Sequence, residues 1–397
     1  MRLCGGLWRT LLLLSLAVAG GAERSAPGAC DRACLEGFVD RYLDAMVAHD
    51  AKLVPLANDV KFTENGQHLQ IPDALWNSIA AKGTYRLFVS DSEAHEVAFI
   101  GTIREEARTP DGAPAVLALR LRIDNRRIAE VETLVVRNER AAENLEKLGK
   151  PNPVFLKTVP PAERMLREDL IQTANLYFSG MQQNDGKGVY PFADDCNRIE
   201  NGSQATNVPT PDGEKRPDPA TAANYSAQWS CKEQFESGLL HFVWRIRDRR
   251  FVAVDEGRGL VFSFAFFDHA LGKQRTFRTP HGRTVTAGPT QPWTWELAEM
   301  FKIENGKIRQ IEAILDRAPY GMSSGWSTWE AGLSSRPDSR STALTYQAVP
   351  PECLRFSGKR AHPRMGYGFA SCVCIPPCRQ AAARPPARYD LRRCRPV

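Results

Sequence analysis

Apolar positions recur at intervals of three and four through Leu35, Phe38, Val39, Tyr42 and Met46, which predicts an amphipathic helix over Asp31–Ala48 with Asp31 as its N-cap. A turn around His49-Asp50 leads to a short strand, Asp59–Glu64, closed by Asn65-Gly66, a dipeptide that favours positive φ. Pro72–Ala81 reads as a second, shorter helix burying Leu75, Trp76 and Ile79. The period then drops to two and predicts strands at Tyr85–Val89, Glu96–Arg104, Ala115–Ile123 and Arg127–Arg137. The last of these sets Ile128, Glu130, Glu132 and Leu134 on one face, and Ala129, Val131, Thr133 and Val135 on the other.

The same order returns further along. Tyr177–Gly202 repeats Tyr42–Gly66 once Tyr190 is allowed as an extra residue, matching Tyr42 to Tyr177, Met46 to Met181, Asp50 to Asp185, Glu64 to Glu200 and Asn65-Gly66 to Asn201-Gly202. Lys302–Asp316 aligns without gaps on Arg122–Val136. The chain is two copies of one helix-then-sheet unit. In the second copy Leu170, Ala174, Tyr177 and Met181 form the helix stripe, Leu260–Phe267 and Trp293–Ile303 are strands, and Thr206–Ala223 and Thr276–Pro292 are insertions. The fold class expected is α+β, two tandem domains each with N-terminal helices packed on a curved antiparallel sheet. They span residues 28–140 and 162–331, joined by a linker over 141–161 that carries KPNP and VPP.

With 43% hydrophobic and 25% charged residues, the 397-residue chain has the composition of a globular protein rather than a disordered one. Arg2 and Arg9, the apolar run Leu11–Ala19, and then Gly20 and Ala22 read as a cleavable secretory signal over residues 1–22. No other apolar run approaches the roughly 18 residues of a membrane span, so the mature protein is expected to be secreted or periplasmic, without a membrane. The net charge of +6 lies in the tail: from Arg336 onward 12 Lys and Arg face 3 Asp and Glu, so the tail carries +9 and the remainder −3. Residues 332–397 therefore read as a basic, Cys-rich, non-catalytic appendage with little pattern to order it, and no nucleic acid partner is expected.

An exported chain favours disulfides. Cys196 and Cys231 flank the first insertion and are expected to bridge, while Cys30 and Cys34 either pair with each other or with partners elsewhere. In the tail, Cys372-x-Cys374-x3-Cys378 near His362 lacks paired C-x2-C spacing, so no metal is expected. No P-loop, dinucleotide fingerprint, GxSxG or HExxH occurs, and no cofactor is expected. Asn201-Gly-Ser and Asn224-Tyr-Ser are potential glycosylation sequons, suited to an exposed loop if the source is eukaryotic.

The helix YLDAM followed by HD, the strand ending in TENG and the terminal strand RIAEVETLVV resemble the nuclear transport factor 2-like superfamily, which includes the SnoaL-like polyketide cyclases, the ketosteroid isomerases and scytalone dehydratase. LWNSIA, VDEGRGLVFSFAFFDH and APYGMSSGW resemble an uncharacterised family of secreted two-domain proteins. The resemblance covers Cys30 to Trp326 and implies a cone-shaped scaffold for each domain. In the ketosteroid isomerases a first-helix Tyr lies in the oxyanion hole and an acid at the end of the next strand is the base. That resemblance places the roles on Tyr42 and Glu64, and on Tyr177 and Glu200. The isomerases use Asp as base, and their second, protonated acid has no match here. A carboxyl in an apolar cone gains proton affinity near neutrality, and a phenol can stabilise a developing oxyanion.

Glu132 and Glu312, in the middle of hydrophobic strands, must face a polar cavity or the rim, which makes them further candidate bases. Trp76, His269, Arg317 and Tyr320 are candidate ligand-binding residues, the last two following the final strand, where RAPYGMSSGW either closes the second pocket or latches the fold. Each candidate has a structural alternative: core tyrosines with satisfied hydroxyls, and strand-end acids in solvent. The functional expectation is an exported protein with two small-molecule pockets, a cofactor-independent isomerase, dehydratase, cyclase or lyase acting on a small apolar or aromatic metabolite. The alternative is a non-catalytic binding or structural module. Under either, the two domains are expected to pair through their open sheets.

Overall fold

A computed structural model describes residues 30–106, 112–270, 274–289 and 291–337. The expected signal, most of the basic tail with its cysteines, and part of the TPDGAP turn lie outside the described residues.

Helix α1, Arg32–Val47, starts where the Asp31 carboxylate accepts from Cys34 N at 2.9 Å, and it buries Leu35, Phe38, Val39, Tyr42, Leu43 and Met46. Cys30 and Cys34 are bridged across its first turn. The chain turns at Asp50, whose carboxylate accepts from Lys52 N, and enters β1, Leu56–Glu64. Asn65 (φ 47°) and Gly66 (φ 72°) form the tight turn into β2, Gln67–Leu69, a conformation in which glycine has no Cβ to clash. The Asn65 carboxamide bonds both backbone groups of Val135, donating to its carbonyl at 3.0 Å and accepting from its N–H at 2.7 Å.

The helix expected over Pro72–Ala81 is a single turn, α2, Leu75–Ser78, because Ile79 already begins the 13-residue β3, Ile79–Asp91. Pairing of β3 with β4, Glu96–Glu105, overrides the weak local helical pattern. Strands β5, Ala113–Asp124, and β6, Arg127–Val136, complete the first sheet. The linker holds α3, Glu139–Leu148, and α4, Pro153–Leu156.

The second half runs α5 (Arg167–Met181), β7 (Phe192–Glu200), β8 (Ser203–Gln204), α6 (Cys231–Glu236), β9 (Arg245–Asp255) and β10 (Leu260–His269). A hairpin of β11 (Arg275–Arg278) and β12 (Thr284–Ala287) occupies the second insertion, followed by β13 (Trp293–Glu304), β14 (Lys307–Ala318) and α7 (Trp329–Gly332). Strand β9 was hidden in the sequence because RIRDRRFVAVD carries four arginines. Cys196 and Cys231 are bridged, tying β7 to α6.

The two sheets have one topology. The first is ordered β2-β1-β6-β5-β4-β3 and the second β8-β7-β14-β13-β10-β9. In each, one central pair is parallel, β1 with β6 and β7 with β14, and the register is equivalent: Thr63 opposes Glu132 as Ile199 opposes Glu312. Helix α1 covers one face of the first sheet through Phe38, Tyr42 and Met46, and α5 covers one face of the second through Leu170, Tyr177 and Phe178. The remaining faces pack on each other, with Leu87, Ile100, Ala118 and Leu134 in one core with Ala253, Phe262, Phe264, Met300 and Ile314. Both faces of each sheet are thereby covered, which is why β10 is buried along its whole length.

Candidate functional site

In the second half, the space between α5 and its sheet is not filled. A cavity of about 200 Å³ remains, walled by Trp293, Trp295, Phe242, Phe267 and Leu297, with Tyr177, Glu299, Arg198 and Glu200 as its polar groups and Tyr225 as part of its rim. Strand alternation builds it: Leu297, Glu299 and Phe301 point from β13 toward α5, while Ala298 and Met300 point to the other sheet.

Tyr177 Oη donates to Glu299 Oε1 at 3.1 Å, and Glu299 Oε2 is buried with no hydrogen-bond partner among the described residues. Burial, reinforced by the Glu200 charge, raises the Glu299 carboxyl to about 8, against the opposite pull of Arg198 and of the Tyr177 hydrogen bond. The Tyr177 phenol is pushed well above its usual value by burial, so it stays protonated. Arg198 is only 3% exposed; its Nε lies 3.0 Å from Glu200 Oε1 and its Nη2 donates to Gln234 Oε1 at 2.8 Å. Gln234 is held in turn by the carbonyls of Ala205 and Ser226, so the insertion after β8 positions the guanidinium.

The matching positions in the first half are apolar. In the shared register Arg198 corresponds to Phe62, since Arg198 faces Ile311 as Phe62 faces Val131. Glu299 corresponds to Leu119, since Glu299 faces Ala313 as Leu119 faces Thr133. The second half has therefore exchanged two buried apolar side chains for a guanidinium and a carboxyl whose burial costs stability, which calls for a role beyond packing. Sequence reasoning missed both residues. The available signal was the 180-residue offset of the terminal repeat, which extends three positions upstream to pair Leu119 with Glu299.

The first-half candidates have structural roles. Tyr42 is wholly buried, accepts a hydrogen bond from Trp76 Nε1 at 2.9 Å and packs edge-on to that ring. Trp76 is a core residue rather than a ligand contact. Glu64 accepts from Leu75 N at 3.0 Å and pairs with Arg137 at 3.0 Å, so both its oxygens are spent on closing α2 and the strand end.

Glu132 and Glu312 do not face a pocket either. Both point into the contact between the two sheets, where Arg250 forks onto Glu132 at 2.7 and 2.6 Å and Tyr85 donates to Glu312 at 2.6 Å. Each mid-strand acid finds a polar partner in the other half of the chain, joined at Glu132 by Arg120 of its own sheet at 3.4 Å.

His269 stacks on Trp293, with centroids 3.6 Å apart and planes 6° apart, and Phe242 lies parallel to it at 5.9 Å. Burial lowers His269 to about 4, so the ring is neutral and braces the aromatic wall. Its neighbour Asp268 does not orient it: that carboxylate binds Arg245, Arg247 and Thr294. Arg317 lies over Trp293 at 5.2 Å. Tyr320 is 41% exposed and its hydroxyl lies 3.5 Å from Arg245, outside the cavity wall. The segment after β14 latches the halves instead, with Trp326 Nε1 donating to Thr63 Oγ1 at 2.9 Å and His68 Nε2 bonding Gly325 O at 2.9 Å. No metal-ligand cluster occurs among the described residues, and no helix among them is long and apolar enough to cross a membrane.

The chain belongs to the family described as Domain of unknown function (DUF8021), whose model matches residues 29–135 and 163–315, one stretch in each half. No curated protein matches it. Among solved structures, the crystal structure of a de novo designed protein with curved β-sheet aligns at 15% identity and a TM-score of 0.22, over 38% of this chain and 88% of the designed one.

Proposed function

Starting from two copies of one family domain, we propose that the second copy is a cofactor-independent proton-transfer site and that the first is its structural partner. The observation that carries this reading is the Arg198 and Glu299 pair, buried where the first copy keeps Phe62 and Leu119. A carboxyl near 8 holds its proton at neutral pH and can still release it. In the proposed reaction the free Oε2 of Glu299 donates to a carbonyl or hydroxyl oxygen of the substrate. Glu200 takes a proton from the adjacent carbon, and Arg198 balances the negative charge that develops. Return of the proton at another carbon is isomerisation; loss of the protonated oxygen as water is dehydration.

A cavity of about 150 Å³ accepts benzene, so about 200 Å³ suits a molecule of roughly one substituted ring. Its flat Trp and Phe walls favour an aromatic or conjugated one. The cone-shaped scaffold of the nuclear transport factor 2-like superfamily, which hosts such chemistry, is the fold to which we assign each half; the shared helix-and-sheet order supports it. We also assign the protein to an exported location, supported by the two disulfides among the described residues and by the Arg2-to-Ala22 pattern.

The test uses small aromatic ketones and phenolic carbonyl compounds in deuterated water. Wild-type protein is expected to exchange the proton beside the carbonyl, followed by NMR, and Glu299→Gln to lose that exchange. Ligands that bind wild type and variant alike, with exchange in neither, would leave a binding module and remove the enzyme.

A further inference from the structure

We propose that Asn224 is the attachment site of an N-linked glycan standing beside the mouth of the cavity, and that Asn201, in the only other sequon, stays bare. The inference rests on the exported reading, because the oligosaccharide donor is met in a secretory compartment.

The two sequons differ in what their carboxamides do. Asn201 repeats the role of Asn65: its Nδ2 donates to Leu315 O and its Oδ1 accepts from Leu315 N, each at 3.0 Å. Its turn is also covered, since a Cβ at Gly202 would stand 2.6 Å from Leu145 N and 2.8 Å from Asn144 Cβ of α3. A sugar on Asn201 Nδ2 would have to displace both the strand and the helix. The match to Asn65-Gly66-Gln67, which is not a sequon, gives Asn201 a purely conformational reason to be present.

Asn224 is exposed and lies outside any helix or strand, in the loop between β8 and α6. That loop is well anchored on either side. Arg283 binds the Ala222 carbonyl, Gln234 Nε2 donates to Ser226 O at 2.8 Å, and Trp229 Nε1 donates to Pro217 O at 2.7 Å. The next residue, Tyr225, is 43% exposed and lines the cavity. The attachment forms a bond from Asn224 Nδ2 to C1 of the first sugar of a lipid-linked oligosaccharide. The sugar–phosphate C–O bond breaks, the lipid pyrophosphate leaves with its electron pair, and Nδ2 gives up one proton. A glycan so placed leaves a path for a small diffusible molecule and keeps large partners from the rim.

The full chain is produced in a eukaryotic secretory host, once behind its own residues 1–22 and once behind a leader of the host. Cells and medium are analysed by intact mass and glycopeptide mapping. Under the host leader the expected result is a single glycan at Asn224, lost in Asn224→Gln and retained in Asn201→Gln, which instead unfolds at lower temperature. A glycan at Asn201, or an unmodified chain behind the host leader, overturns the proposal. Glycosylation behind the host leader alone would count against the native signal while leaving the site intact.

Discussion

Tyr177 Oη donates to Glu299 Oε1 across 3.1 Å, and that bond decides which oxygen of the carboxyl remains open to the cavity. The corresponding tyrosine of the first half does the reverse, accepting from Trp76 Nε1 at 2.9 Å in a closed core. One phenol lines a cavity and the other is enclosed in packing.

If Glu299 works as the proton donor, activity depends on its protonated form. That form is complete well below pH 8 and is lost as pH rises through about 8. The rate of exchange should therefore fall on the alkaline side of about pH 8. Glu299→Gln should abolish that limb and lower kcat/KM by about 10²–10⁴-fold, read from the pH profile of solvent-deuterium exchange.

Tyr177→Phe and Tyr42→Phe should separate cleanly. The hydrogen bond from Tyr177 favours ionised Glu299, so its loss should move the alkaline limb to higher pH and reduce the rate. Tyr42→Phe leaves the Trp76 indole N–H buried without its acceptor, a cost of about 1–3 kcal/mol. Urea unfolding should show that loss while the pH profile stays in place.

Arg198→Phe with Glu299→Leu installs the residues of the first half. Removing the desolvation cost of a buried guanidinium and a buried carboxyl, although Gln234 and Glu200 then lose the Arg198 contact, is expected to raise stability by about 1–3 kcal/mol and to remove activity. Chemical denaturation of the double variant checks this; a less stable double variant would mean the two polar side chains contribute to packing rather than oppose it.

Glu132→Ala should be among the more damaging single changes. It strips Arg250, 1% exposed, of its bidentate partner between the sheets and leaves it Asp248 at 3.1 Å, a loss of about 3 kcal/mol. Lost activity in a variant of unchanged melting temperature would return Glu132 to a chemical role.

Burial raises Glu312 to about 7, so the folded state binds its proton more tightly than the unfolded chain does. Such a group contributes stability that is fully present below its unfolded value near 4.3 and is lost as pH rises through about 7. The loss is roughly 4 kcal/mol at most. Unfolding free energies measured between pH 5 and 8 should fall more steeply in the wild type than in Glu312→Gln, with Glu296 and Glu299, each raised to about 8, adding to the slope of both.

The duplication was legible because it rests on local chemistry. Asp50 and Asp185 each cap the next turn through the N–H two residues on, and Asn65-Gly66 and Asn201-Gly202 adopt the same left-handed turn. Such residues satisfy neighbours close in sequence, so their spacing survives in both copies. The helix stripes through Tyr42 and Tyr177 were legible for the same reason, as was the bridge across the Cys196–Cys231 insertion.

Residue pattern alone determined two helix-then-sheet units and the positions of their turns. Packing decided the rest. A mid-strand glutamate must find a polar partner, but whether that partner is a cavity or an arginine of the other half depends on which sheet face meets which, a choice made by side chains more than a hundred residues apart, such as Glu132 and Arg250. Glu299 looks toward α5 and Glu312 toward the other sheet because the two faces of the second sheet are covered by different things, and no local interaction encodes what covers a face.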